Sequence, residues 1–99
     1  MVFTESQIKT KFTNYINNNG GSANTWYVGI TNYIDRRLFT EHGVANDNGL
    51  WIYEPTSDDS VARSIEKHFT DAGLDGAGGG GDDDSTFVYA YKMTTSTTP

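Results

Sequence analysis

The chain of 99 residues is long enough for one domain with a modest core and too short for two independent folding units, so a single domain over residues 1–99 is expected. Seven basic against thirteen acidic residues give a formal charge of -6, the wrong sign for a protein held broadly on phosphate backbones. Any nucleic-acid contact must then be local or metal-assisted. Without cysteine, disulfide scaffolds, thiolate zinc sites and cysteine nucleophiles are excluded. No stretch approaches the roughly 20 apolar residues of a membrane span, and the N-terminus has no signal-peptide pattern; the expectation is a cytoplasmic protein that does not enter membranes.

From Ser6, the apolar positions Ile8, Phe12, Tyr15 and Ile16 fall on one helical face, and the Asn17–Gly21 run ends that helix. Thr25–Thr31, TWYVGIT, is dense in aromatic and β-branched residues and predicts a buried strand, expected at the centre of the sheet. Ile34 and Leu38 return to helical spacing, predicting a second helix from Tyr33 to His42, with Asp35, Arg36, Arg37 and Glu41 turned to water or a ligand. Leu50–Glu54 before Pro55 predicts a second strand. Ser57, Asp58 and Asp59 then offer caps to a third helix marked by Val61, Ala62, Ile65 and Phe69 and stopped at Gly73. Residues 75–85, rich in Gly and Asp, predict a flexible loop, Phe87–Met93 a third strand, and Thr94–Pro99 a frayed tail. The fold class expected is α/β in the broad sense, specifically α+β. It comprises a three-stranded, mostly antiparallel sheet with three flanking helices and unassigned strand order.

Within this order, Trp26–Leu38, WYVGITNYIDRRL, resembles the second half of the GIY-YIG nuclease motif and the helix after it. Tyr27, Gly29, Thr31, Ile34 and Arg37 fall at the family's positions, and WIYEPTSDDSVARSIEKHF repeats its following strand and helix, with Glu66 where that helix carries one Glu. No GIY strand precedes Tyr27, and His42 sits one residue later than the His often found after the Arg. The strand FVYAYKM has no counterpart at the end of the usual module. If it lies where the first strand is missing, Tyr89 or Tyr91 supplies the lost phenol. The resemblance implies a metal-dependent endonuclease acting on DNA or RNA with Mg²⁺ or Mn²⁺. Tyr27, Arg37 and Glu66 would be catalytic, with Glu66 as the metal ligand; Gly29, Arg36 and His42 would contact nucleic acid.

The residue types suit that chemistry. A carboxylate gives Mg²⁺ a hard oxygen, a guanidinium fits a phosphate bidentately, and a phenol near a cation can orient or deprotonate water. Gly29 would let a substrate backbone come close to the strand. Each also has a plainer reading. Tyr27 can be a strand aromatic, Gly29 a bulge or packing contact, Arg37 the i+4 partner of Glu41, and Glu66 a structural residue, while His42 and His68 are expected at the surface. Asp82, Asp83 and Asp84 lack the alternating spacing of a Ca²⁺ loop and are expected to be a solvated linker. Two alternatives remain. One is a catalytically degenerate module that binds a protein partner, as the missing strand and negative charge suggest. The other is a chance resemblance, in which Tyr27, Arg37 and Glu66 would not converge.

Overall fold

The first helix, α1 (Glu5–Asn18), begins with a reciprocal cap: Thr4 Oγ1 accepts from Gln7 N–H, and Gln7 Oε1 accepts from Thr4 N–H. It ends at Asn19, followed by Gly20 and Gly21 at positive φ, as the Asn/Gly run predicts. The computed structural model describes residues 2–45, 49–76 and 85–98. Three strands follow, β1 (Trp26–Thr31), β2 (Trp51–Pro55) and β3 (Phe87–Lys92). A six-residue π-helix, Arg36–Glu41, lies between β1 and β2, and α2 (Asp59–Asp71) between β2 and β3. Asp58 caps α2 by accepting from Val61 N–H. These are the three strands and three helical segments expected of the α+β fold, though the second segment is a widened turn rather than an ordinary helix over 33–42.

The strand order is β1-β3-β2, antiparallel at both junctions. The expectation that TWYVGIT is central is therefore corrected: β3 holds the middle and β1 lies outside it. β1 still has all six residues buried because both its faces are covered and its outer edge is partly closed by Asp75. Asp75 C=O accepts from Val28 N–H and its N–H donates to Trp26 C=O, which pairs the first part of that edge. Residues 77–84, the greater part of the expected flexible loop and all of the Asp82–Asp84 run, lie outside the described residues.

Because side chains alternate across a strand, the sheet has two distinct faces. Trp26, Val28, Ile30, Val88 and Ala90 pack with Ile8, Phe12 and Ile16 of α1 and Ala62, Ile65 and Phe69 of α2. Phe12 and Phe69 stack with centroids 5.8 Å apart, joining the two helices over the sheet. Lys11 pairs with Glu54 at the margin of this layer. The opposite face carries Tyr27, Tyr89 and Tyr91, roofed by Leu38 and Val44 from the π-helix and the segment after it. Among the described residues, no helix is long and apolar enough to cross a membrane.

Candidate functional site

The tyrosine face is built by register. Across the sheet, Tyr27 opposes Tyr91 and Trp51 lies beyond it, Gly29 opposes Tyr89 with Tyr53 beyond, and Thr31 opposes Phe87 with Pro55 beyond. Tyr27 stacks on Tyr91 at 5.3 Å and on Tyr89 at 6.4 Å. The central residue of the middle row, Tyr89, leans over Gly29: a Cβ at position 29 would stand 2.6 Å from the Tyr89 ring carbon Cζ and closer still to the hydroxyl. The space left by Gly29 is thus occupied by a phenol of the same chain. The expectation that it admits a nucleic-acid backbone is corrected to a packing role, one of the readings its position in a strand allowed. Gly29→Ala is expected to lower unfolding stability by about 1–3 kcal/mol through overpacking, read by denaturant titration, and to displace Tyr89 from its hydrogen bond.

That bond runs to His42. The histidine is buried, contrary to the surface position expected of it; His68 is exposed, as expected. His42 Nδ1 lies 2.7 Å from Thr98 C=O, and a carbonyl only accepts, so Nδ1 carries the proton. Nε2 then accepts the Tyr89 O–H across 2.8 Å. Tyr91 O–H donates to the same Thr98 carbonyl at 3.2 Å and sits 3.0 Å from Nδ1. Thr98 N–H in turn donates to His42 C=O at 2.7 Å. The tail expected to fray is therefore tied down through residue 98, because its backbone completes the bonding of a buried imidazole.

His42 reaches this position through the widened turn. In an α-helix, residues five apart are about 140° out of line; here His42 N–H donates to Arg37 C=O at 2.8 Å, an i→i+5 bond that stacks one over the other. Val44 N–H then closes on Leu38 C=O with Gly43 at positive φ. The single residue by which His42 lies too far along is absorbed by that turn, so Arg37 and His42 both address Tyr89.

The electrostatics follow from this packing. Burial pushes the Tyr89 phenol well above its ordinary value, the neighbouring Tyr27 and the charge of Glu66 adding to the rise, while the Arg37 guanidinium pulls it down. Tyr91 is raised for the same first reason, with Tyr27 and Tyr89 contributing. Burial lowers His42, partly opposed by its Thr98 bond, so the imidazole is neutral at pH 7 and free to accept a proton. Glu41 bridges both arginines, 2.9 Å from Arg37 Nη1 and 2.9 Å from Arg36 Nε, and its bond is the chief cause of the raised Arg37 value. The i+4 pairing of Arg37 with Glu41 is thus real. It leaves Arg37 Nε buried without a hydrogen-bond partner among the described groups.

Of the residues expected to act together, Tyr27 stacks on the Tyr89 ring, while the charge of Arg37 lowers and that of Glu66 raises the Tyr89 value. Glu66 does so from α2, although the apolar residues of that helix pack on the other face of the sheet. Tyr27, Tyr89, Tyr91, His42 and Glu66 are all buried. Arg37, with 30% of its side chain exposed, is the member that reaches solvent, and Arg36 projects further, at 70%. Among the described residues, no three His, Asp or Glu side chains gather in a group able to hold a metal ion. A site built on one carboxylate would fit only a cation that keeps most of its waters, as Mg²⁺ does, and not one that needs a full protein cage. Beside Tyr89, an open groove of about 420 Å³ is lined by Tyr33, Tyr53, Phe87, Asn32, Asp35 and Arg36.

No family model, curated protein or solved structure matches the chain.

Proposed function

We propose that this domain is a metal-assisted phosphodiester hydrolase acting on nucleic acid, with the resemblance to GIY-YIG nucleases as its starting point. The observation that carries the reading is that Tyr89 stands 6.4 Å from the Tyr27 ring and is hydrogen-bonded to His42, which one i→i+5 bond stacks over Arg37. Tyr89, on the strand beside β1, takes the place of the phenol that the sequence lacks ahead of Tyr27. A phosphate oxygen meets the part of Arg37 that reaches solvent, where Glu41 is displaced from Nη1. Glu66 would hold Mg²⁺ or Mn²⁺, which supplies charge neutralisation and an activated water when bound.

The remaining work falls to the chain's own groups. Tyr89 O–H donates to His42 Nε2, and the imidazole is held in the accepting tautomer by the Thr98 carbonyl on Nδ1. As the water oxygen bonds to phosphorus, Tyr89 takes the water's proton while handing its own to His42 Nε2. The P–O bond to the leaving oxygen breaks, that oxygen takes a proton from solvent, and His42 returns its extra proton to solvent. Tyr89 is closed beneath the π-helix, so this step follows movement of Arg37 from Glu41 onto the phosphate. The test is nicking of a supercoiled plasmid and of labelled oligonucleotides, with Mg²⁺, with Mn²⁺ and with chelator. Glu66→Gln is expected to reduce nicking about 100-fold or more with the circular dichroism spectrum unchanged. Equal nicking by the variant sinks the assignment.

Burial of Tyr27, Tyr89 and Tyr91 and the capture of both arginines by Glu41 favour a second reading, a degenerate module whose surface binds a protein partner. Amide spectra that stay unmoved by either metal and by oligonucleotide would favour it over the hydrolase.

A further inference from the structure

We propose that the groove lined by Tyr33, Tyr53 and Phe87 is a stacking site for one unpaired nucleotide, its base against the aromatic rings and its phosphate on Arg36. The inference rests on the hydrolase reading and deepens it, by naming a single-stranded or extruded nucleotide as the substrate at that same site. Apart from Val2 and Phe3 near the N-terminus, the exposed large hydrophobic residues among those described are Tyr33, at 62%, and Tyr53, at 41%, and the two share one groove. Their surroundings are a graded set of rings along the outer sheet face: Phe39 meets Trp51 edge-on at 5.2 Å, Trp51 stacks on Tyr53 at 6.1 Å and 14°, and Tyr53 meets Phe87 at 6.2 Å. The Trp51 stack holds the Tyr53 ring in place, so little side-chain freedom is lost when a flat ligand lies on it.

Chemistry selects the occupant. Aromatic faces take any flat ring; a guanidinium at the rim requires an anion on it. Arg36 meets Glu41 through Nε, which leaves its terminal nitrogens to face solvent. A nucleotide supplies both, a flat ring and an anion attached to it. Asp35 on the same lining repels a second phosphate, and the net charge of -6 opposes a duplex laid along the surface. The groove volume of about 420 Å³ lies in the range of small-ligand pockets, about 300–1,000 Å³. Position completes the case: Tyr53 is the direct cross-strand partner of Tyr89, so a base held on Tyr53 lies one strand away from the phenol of the proposed site.

The experiment measures fluorescence anisotropy of a short labelled single strand, of the same strand in a duplex, and of the same backbone with abasic positions, all in chelator so that nothing is cut. The intact protein is expected to prefer the single strand. Tyr53→Ala should weaken that binding about 5- to 100-fold, abasic substitution should do the same to the unsubstituted protein, and Tyr53→Phe should restore it. Arg36→Gln should flatten the slope of log affinity against log salt by about 0.7. Duplex bound as tightly as single strand, Tyr53→Ala binding like the parent, or preference for a trimethyllysine peptide over the oligonucleotide would each overturn the proposal. Nicking that depends on Glu66 but is indifferent to Tyr53→Ala removes the groove and leaves the hydrolase. Tyr53-dependent binding with no metal-dependent cleavage removes the hydrolase and leaves the groove.

Discussion

Tyr89→Phe is expected to lower metal-dependent nicking by about 100- to 10,000-fold, the range in which a positioned acid–base group contributes, while the protein stays folded. The substitution removes one oxygen and keeps the ring over Gly29, stacked on Tyr27. It also leaves His42 Nε2 without its donor, at a stability cost of about 1–3 kcal/mol. Tyr27→Phe is the informative comparison. Tyr27 touches the site through stacked rings and by raising its neighbours, so a loss smaller by tenfold or more is expected there. A plasmid assay on both variants decides between them: equal activity of Tyr89→Phe and the parent would show that the phenol beneath Arg37 takes no part in the chemistry.

His42→Ala should be the most damaging single change to both stability and turnover. It empties a buried ring site, strips the Tyr89 hydroxyl of its acceptor and leaves the Thr98 carbonyl with only Tyr91. Each buried polar group left unsatisfied costs about 1–3 kcal/mol, so a loss of about 3–5 kcal/mol is expected in urea or guanidinium titrations. A pH signature separates this histidine from a merely space-filling one. Its value in the folded protein lies below the ordinary 6.5, chiefly because burial opposes the charged form, whereas the unfolded chain titrates near about 6.5. Between those two values the unfolded state binds the extra proton, so stability rises with pH across that window and levels above it. Acidification below about pH 6.5 should therefore lower Tm in the parent. The low-pH limb of the nicking profile should fall in the same window, since a protonated Nε2 no longer accepts from Tyr89. In His42→Ala the stability slope of that window should vanish. The carboxylate contribution should remain at lower pH, where Glu41, held down by Arg37, is protonated. An unchanged slope would contradict the neutral, buried imidazole.

The element boundaries that were legible in the sequence share one cause: each depends on neighbours within a few residues. The Ile8, Phe12, Ile16 stripe, the Asn19–Gly21 stop, the Asp58 cap and the alternation in FVYAYK all act locally, and periodicity and capping chemistry report them directly. The same locality explains the placement of Arg37 and Glu66 on helical segments and of Tyr27 on a strand. Helical spacing also allowed Glu41 to be named as the partner of Arg37, which a single turn suffices to bring about.

Strand order, by contrast, depends on contacts remote in the chain. FVYAYK sits between β1 and β2 because its two flanking registers bury Val88 and Ala90 on one face and Tyr89 and Tyr91 on the other, and no nearby residue reveals that arrangement. Only the pairing of β3 with β1 makes Tyr89 the phenol over Gly29. His42 was misplaced for a related reason, since its spacing from Arg37 is wrong for an α-helix and becomes right only when one turn widens to i→i+5 bonding. The sequence by itself thus determined the elements, the α+β class and the placement of Arg37 and Glu66 on helical segments, because these rest on short-range sterics and hydrophobic period. The tertiary structure alone decided which phenol they surround, which tautomer serves it and which backbone carbonyl holds that tautomer, because Thr98 and His42 are 56 residues apart and only packing brings them together.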